Sequence, residues 1–249
     1  MRLSVCMITR DELPFLKVSI PAARRIADQL IVVDSGSRDG SLEWLSDRVD
    51  ILIRVPPRTV VEKGYSYLRN LAHKFADGDW IYQVDADEMI SAEQADLIKP
   101  HLEETKAPGL SLKVLTFHRA PRVKPHEWTW IANNCDHEPG RHVRIYRNNA
   151  GIEWRGYIHE ELWQGDTRLF DTAENTEFKH LHYTNYRTWG DPNDKDRKVS
   201  YMMLKAYNDP EYGKYMNPWW FQNWYPKNLD RLKVRAHEYE LQRNRIDPY

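Results

Sequence analysis

The stretch from Asp79 to Glu88 reads D-W-I-Y-Q-V-D-A-D-E, an apolar run that ends in three acids. Its apolar part, Trp80 to Val84, has the length of a buried strand. Asp85 and Asp87 are two positions apart, so their side chains point to one side while the chain stays extended. Because carboxylates that close repel each other, and because oxygen ligands suit Mg²⁺ or Mn²⁺, we predict a divalent cation between them. The alternative is that these acids begin a helix, where the helix dipole favours negative charge.

Outward from this stretch, residues 1–120 alternate short apolar runs with longer amphipathic ones. This pattern predicts an α/β fold with a mostly parallel sheet flanked by helices. The predicted strands are Leu3 to Ile8, Gln29 to Val33, Ile51 to Arg54, Trp80 to Val84 and Leu110 to Phe117. The predicted helices are Pro21 to Ala27, Ser41 to Leu45, Lys63 to Ala76 and Ala92 to Glu103. Sheets of this class bind ligands beyond the carboxyl ends of their strands, where the acids lie.

A second polar segment follows the predicted strand that ends at Val33. Asp34 comes first, and the small residues Ser35 and Gly36 after it allow a ligand to approach the backbone closely. We predict that Asp34 contacts a nucleotide, and a cap on the following turn is the alternative. Asp39 begins a turn into a helix and is predicted to be structural.

Three parts are predicted along the chain. Residues 1–120 form the ligand-binding half, residues 121–190 contain a long irregular loop and a hairpin of Arg141 to Arg147 with Ile152 to Trp154, and residues 191–249 form a helical extension. The net charge of −1 gives no global attraction to nucleic acid or anionic membranes. With two cysteines and no long apolar segment, we expect a soluble cytoplasmic protein without a disulfide framework.

The ordered set of motifs resembles the family 2 glycosyltransferases, which have the GT-A (Rossmann-like) fold. The resemblance is carried by Ser4 to Glu12, Val33 to Ser41, Arg69-Asn70 and Gly78 to Glu88. It implies a nucleoside diphosphate sugar as donor and Mn²⁺ or Mg²⁺ as cofactor. The donor-binding residues that it implies are Thr9, Arg10, Glu12, Asp34, Arg69 and Asp85, with Asp85 and Asp87 holding the diphosphate through the cation.

A weaker resemblance continues from Trp154 to Leu162, which is similar to a segment of bacterial sugar transferases of the lipopolysaccharide-core type. In those relatives a His-Glu pair follows the acceptor loop. The resemblance implies a catalytic role for His159 and Glu160, and we predict Glu160 as the base that deprotonates the acceptor hydroxyl. A partly desolvated carboxylate can have its pKa raised toward the working pH. Glu161, Asp136 and His159 are the alternatives for the base.

His180 and His182 lie on the same side of a predicted extended segment. Related folds often add one histidine from this part of the chain to a metal shell begun by carboxylates. We therefore predict His182 as a metal ligand beside Asp85 and Asp87. Zinc is not expected, because no cysteine cluster accompanies the histidines.

Residues 185–249 match no pattern that we can assign. Their aromatic cluster consists of Trp219, Trp220, Phe221, Trp224 and Tyr225. Core packing is predicted for it, and an acceptor-sugar platform, a protein interface, a peripheral membrane contact and base stacking are the alternatives. Basic side chains nearby could contact the phosphates of a lipid or a nucleic acid.

The predicted function is transfer of a sugar, with inversion, to an acceptor hydroxyl. A glycan, a lipid-linked glycan, a protein, a small molecule and modified DNA all remain open as acceptors. One alternative is a catalytically inactive module that binds nucleotide sugars. Another, a nucleotidyltransferase, is disfavoured because Thr9 to Glu12 contains no glycine for a triphosphate loop.

Overall fold

An eight-stranded mixed sheet organises the described residues, which are 1–117, 137–183 and 192–247 of this computed structural model. Its strands are β1 (Leu3–Thr9), β2 (Gln29–Asp34), β3 (Ile51–Arg54), β4 (Trp80–Asp85), β5 (Glu88–Ile90), β6 (Gly109–Phe117), β7 (His137–Arg147) and β11 (Glu174–His182). A second sheet contains β8 (Ile152–Arg155), β9 (Glu161–Gln164) and β10 (Thr167–Arg168). The order of the main sheet is β3-β2-β1-β4-β7-β6-β11-β5.

Strands β3, β2, β1 and β4 form a parallel half of the main sheet, as the sequence predicted. β1 lies between β2 and β4 and runs parallel to both. All five predicted strands are confirmed. β1, β2 and β4 were recognisable because strands buried on both faces read as continuous apolar runs. The register places Thr9 beside Asp34 and Ile8 beside Asp85, so the carboxyl ends of β1, β2 and β4 form one edge.

β7 separates the parallel strands from the rest of the sheet. It runs antiparallel to β4 and to β6, and it buries Val143 and Ile145. The predicted hairpin of residues 141–147 with residues 152–154 is therefore wrong, because β8 pairs with β9 in the second sheet instead. The insertion of β7 also brings Arg144 to the acids that follow β4.

Five helices accompany the first half of the chain. They are α1 (Leu13–Arg24), α2 (Ser41–Leu45), α3 (Thr59–Lys63), α4 (Tyr65–His73) and α5 (Ala92–Glu104). The predictions for α2 and α5 are confirmed, whereas the helix predicted at residues 21–27 has the wrong bounds and shares only residues 21–24 with α1. The helix begins at Leu13 because Pro14 suits its first turn and because Phe15 and Leu16 bury their side chains against the sheet.

The helix predicted from Lys63 to Ala76 is interrupted at Gly64, which has a φ of 83° and separates α3 from α4. A Cβ at this position would lie 2.6 Å from the carbonyl oxygen of Tyr157, so the close packing of two segments requires glycine here. Leu68 of α4 is buried, whereas Phe75 follows the end of α4 and is 47% exposed.

The predicted helical extension is confirmed as α6 (Pro192–Asn208), α7 (Pro210–Gly213) and α8 (Tyr225–Ile246), with a π-helical turn at Trp220–Trp224 before α8. Tyr225 and Leu232 belong to the same buried cluster as Ile31 and Val33 of β2, so the extension shares a core with the sheet. Across the described ranges, no helix combines the length and apolar character that crossing a membrane requires. Asp136, an alternative for the base, lies outside the described residues.

Candidate active site

A cleft of about 1180 Å³ lies beyond the carboxyl ends of β1 and β4. Its walls also include residues of β7, of the segment between β8 and β9, and of α6. The predicted site residues that line the cleft are Thr9, Arg10, Glu12, Arg69, Asp85, Asp87, His159, Glu160 and His182. The fold thus brings together side chains from distant parts of the chain at the edge that the sequence indicated.

Arg69 lies buried in α4 and bonds two carboxylates at once. Its Nη1 and Nη2 donate to Asp85 Oδ1 and Oδ2 at 2.7 and 3.1 Å, and its Nε donates to Glu160 Oε1 at 2.6 Å. The Trp154 ring covers the guanidinium at 4.9 Å. Burial alone would lower the pKa of Arg69, but Asp85 and Glu160 raise it well above its usual value. Arg69 is therefore a permanent cation that fixes both acids.

Glu88 lies behind Asp85 and closes a buried polar network. Its Oε2 accepts a 2.9 Å hydrogen bond from the backbone N–H of Asp85 and lies 2.9 Å from His180 Nε2, while Oε1 pairs with Arg144. Burial would raise the pKa of Glu88, but Arg144 and His180 hold it well below its usual value. The sequence reasoning missed Arg144, because only the insertion of β7 between β4 and β6 brings it here.

Asp87 pairs with His182 on the other side of the turn. Their Oδ2 and Nε2 atoms are 3.7 Å apart, and His182 Nδ1 lies 3.1 Å from Thr116 Oγ1. Burial would lower the pKa of His182, but the carboxylate of Asp87 raises it. His180 is fully buried against Tyr82, so His182 is the histidine of this pair that lines the cleft.

The two aspartates of the D-A-D motif have different partners in this structure. β4 ends at Asp85, so Asp87 lies in the turn that follows and the assumption of an extended chain fails. Asp85 pairs with Arg69, and Asp87 pairs with His182. Within the described ranges, no group of three or more His, Cys, Asp and Glu side chains is gathered as a metal site. Asp87 and His182 still offer oxygen and nitrogen donors that fit a divalent cation at the cleft wall.

Asp34 supports the turn after β2. Its Oδ1 accepts hydrogen bonds of 2.8 and 2.9 Å from the backbone N–H groups of Gly36 and Ser37, and burial raises its pKa. Among the described residues, Asp34 is not part of the cleft wall, so its contact with a nucleotide stays a prediction. Asp39 is structural as predicted, because its carboxylate accepts from the N–H groups of Leu13 and Ser41.

The candidate acid–base residues lie in and next to the segment between β8 and β9. His159 has a φ of 54°, and its ring stacks on Trp220 with the centroids 4.1 Å apart. Burial lowers the pKa of His159, which keeps the imidazole neutral near pH 7. Burial raises the pKa of Glu161, which also lines the cleft. The aromatic cluster is divided, since Tyr225 is buried core as predicted whereas Trp220 faces the cleft.

Comparison with known proteins agrees with this architecture. The glycosyl transferase family 2 model matches residues 4–152. A TPR repeat-containing protein of Synechococcus elongatus is 29% identical over 159 residues, which are 64% of this chain and 35% of the relative. An uncharacterized glycosyltransferase of Rickettsia bellii is 29% identical over 128 residues, 49% of this chain and 42% of the relative. The chain spans less than half the length of these curated relatives.

Two groups of solved structures share the fold. S. aureus TarS, residues 1–349 in complex with UDP-GlcNAc, has a TM-score of 0.53 and 16% identity, covering 96% of this chain and 77% of that one. The mannosyltransferase PcManGT of Pyrobaculum calidifontis, in complex with GDP-Man and Mn²⁺, has a TM-score of 0.50 and 13% identity, covering 96% and 75%. At these identities the likeness concerns the fold, and it confirms the predicted GT-A sheet.

Proposed function

Because the chain belongs to glycosyl transferase family 2, we propose that it transfers a sugar from a nucleoside diphosphate sugar to an acceptor hydroxyl. One observation carries the proposal: Arg69 bonds Asp85, at the predicted donor side, and Glu160, at the predicted acceptor side, within a single cleft. A volume of about 1180 Å³ leaves room for a nucleotide sugar together with part of an acceptor. The ligands of the solved structures, UDP-GlcNAc and GDP-Man, support this class of donor.

A divalent cation, Mn²⁺ or Mg²⁺, is part of the proposal. Asp87 and His182 are the residues that would hold it, and Mn²⁺ in PcManGT supports its use. When bound, the cation supplies positive charge that stabilises the departing diphosphate. Asp85 is less suited to direct ligation in this arrangement, because both of its oxygens accept hydrogen bonds from Arg69.

In the proposed reaction, Glu160 accepts the proton of the acceptor hydroxyl. The acceptor oxygen forms a bond to the anomeric carbon while the bond from that carbon to the diphosphate oxygen breaks, so the configuration inverts. Arg69 is a positioning residue in this scheme, since it orients the carboxylate of Glu160 through Nε. Glu161 is the second candidate for the base, because it lines the same cleft and burial raises its pKa.

The nature of the acceptor is open, but a nucleic acid has little support. Basic side chains on α8 are paired within the chain, where Arg231 donates to Asp196 at 2.9 Å and Arg245 donates to Asp194 at 2.7 Å. Such pairing leaves less positive charge for phosphates. We therefore propose a hydroxyl of a glycan, a lipid-linked glycan, a protein or a small molecule.

A thermal-shift screen of nucleotide sugars tests the proposal. UDP-GlcNAc, GDP-mannose and other nucleotide sugars are added to the protein with MnCl₂ or with EDTA. A ligand that binds the native state stabilises it by about 2.7 kcal/mol at a concentration of 100 Kd, so at least one donor is expected to raise Tm in MnCl₂. No shift with any nucleotide sugar contradicts the proposal. Binding without donor hydrolysis or transfer to any acceptor indicates the inactive binding module instead.

A further inference from the structure

The end of α8 lies against the loops that follow β1 and β2. Arg10, directly after β1, donates hydrogen bonds to the backbone carbonyl of Ile246 and to the carboxylate of Asp247. Arg38, in the loop after β2, donates from Nη1 to the carbonyl of Arg245 at 3.1 Å. Both loops are thus tied to one helix end, which lies outside the segment that the family model matches.

Asp247 is the centre of this contact. Its side chain is fully buried, with one carboxylate oxygen paired with Arg10 and the other accepting a 2.5 Å hydrogen bond from Tyr239. A third arginine, Arg58, donates from Nε to the Asp247 carbonyl at 2.9 Å. The carboxylate and the backbone of one residue therefore engage side chains from two other segments of the fold.

The dipole of α8 does not favour an acid at this position. The C-terminal end of a helix carries partial negative charge, so a carboxylate at this end is unfavourable. Burying it adds a desolvation cost that only pairing can offset. The last backbone carbonyls of a helix have no partners within the helix. Here three arginines donate hydrogen bonds to the carbonyls of residues 245–247. The end of α8 therefore binds three arginine side chains, and Arg10 is the one that pairs with the Asp247 carboxylate.

Arg10 leads directly into a tightly held loop. Asp11 has a φ of 52°, its N–H donates to Ser37 Oγ at 2.8 Å, and its Oδ1 accepts from the Arg38 N–H at 2.6 Å. The loops of residues 9–12 and 35–39 are therefore linked to each other and, through Arg10 and Arg38, to α8. Arg10, Arg38 and Ile246 all line the cleft.

We propose that Asp247 is a positioning residue for the donor: by holding Arg10, it keeps the loop of residues 9–12 in the conformation that receives the nucleotide. Arg10 then acts as an anchor between this loop and α8, since its guanidinium is already engaged by Ile246 and Asp247. This inference rests on the proposed function for the identity of the ligand. It assigns part of α8 to the donor side of the cleft.

The test compares Asp247→Asn, which removes the charge, with Asp247→Glu, which keeps it. Binding of UDP and of GDP, each with MnCl₂, is measured by calorimetry, and hydrogen exchange of residues 9–12 is measured without nucleotide. We expect Asp247→Asn to bind about tenfold more weakly and to exchange faster in this loop, and Asp247→Glu to recover most of both. Glu240→Gln, at an exposed position of α8, is the matched control and should behave as the wild type.

Unchanged or tighter nucleotide binding by Asp247→Asn overturns the inference, and tighter binding would mean that Asp247 competes with the diphosphate for Arg10. If Asp247→Asn does not fold, Tyr239→Phe replaces it, because it removes the hydrogen bond that orients the Asp247 carboxylate toward Arg10 and so weakens the hold on Arg10 while keeping the charge. Tyr239→Phe is then expected to bind nucleotide more weakly and to exchange faster in residues 9–12, by less than Asp247→Asn would. Wild-type values of both measurements contradict the inference. If the wild type binds neither nucleotide, the proposed donor class fails, and loop exchange still decides the role of Asp247.

Discussion

Arg69 Nε donates a 2.6 Å hydrogen bond to Glu160 Oε1, although the two residues are 91 positions apart. The other two guanidinium nitrogens hold Asp85, so one rigid fork joins the end of β4 to the segment between β8 and β9. Because Arg69 is buried and always charged, it holds the two carboxylates in a defined arrangement. One side chain thus links the proposed donor side of the cleft to its proposed acceptor side.

Arg69→Lys is expected to lower turnover by roughly 10²-fold. Lysine keeps the charge, but a single ammonium cannot bond Asp85 in a bidentate manner and reach Glu160 as well. The measurement is kcat at saturating donor and acceptor, with circular dichroism to establish folding. Arg24→Lys, which alters an exposed pair with Asp50, is the matched control. Wild-type turnover in Arg69→Lys would falsify the bridging role.

Asp87→Asn is expected to remove most of the effect of a divalent cation on donor binding. The amide keeps the shape of the side chain but has no negative charge for the cation, and His182 alone is a weak ligand. Donor affinity is measured with MnCl₂ and with EDTA for both proteins. The wild type should lose affinity in EDTA, whereas the variant should already bind as weakly in MnCl₂. An affinity in the variant that still depends on Mn²⁺ excludes Asp87 as a ligand.

Glu160→Gln and Glu161→Gln distinguish the two candidates for the base. Each substitution keeps the shape and loses the ability to accept a proton, so the true base is expected to lose roughly 10²-fold or more in kcat. We expect this loss in Glu160→Gln, with donor affinity nearly unchanged, and a smaller effect in Glu161→Gln. The opposite order of the two effects assigns the base to Glu161.

Asp34→Asn is expected to change how stability depends on pH. Burial raises the pKa of Asp34 above its usual 3.8, so its contribution to the stability of the fold is fully present below that value. The contribution is lost as the pH rises through the raised pKa. Asparagine does not titrate, so the difference in unfolding free energy, wild type minus variant, should decrease as the pH rises from 3.8 toward neutrality. Urea unfolding at a series of pH values measures it, and a pH-independent difference contradicts the expectation.

Gly64→Ala is expected to destabilise the fold more than Gly151→Ala. Both glycines have positive φ, 83° and 69°, so alanine carries a backbone cost of about 1 kcal/mol at each. At Gly64 the new Cβ also lies 2.6 Å from the Tyr157 carbonyl oxygen, whereas at Gly151 nothing lies within 4 Å. Overpacking adds about 1–3 kcal/mol, measured by urea unfolding. Equal losses at the two positions contradict the packing role of Gly64.

The sequence alone determined the parallel strands and the edge where the site lies. β1, β2 and β4 are buried on both faces, so each is an apolar run whose end is marked by a polar residue. The D-A-D motif and the segment around Arg69 carried the family resemblance, because each is a short motif of neighbouring residues. These features are local in the chain, since they depend on residue type and on short spacing.

Only the tertiary structure decided how the polar side chains are paired. Arg69 meets Glu160 across 91 positions and Arg10 meets Asp247 across 237, and no local periodicity encodes such contacts. Asp87 lies in the turn after β4, so it has a different partner from Asp85. β7 pairs between β4 and β6 and thereby brings Arg144 beside Glu88. Packing of the sheet and of α8 selects these partners, because a buried charge is stable only where the fold provides its counterpart.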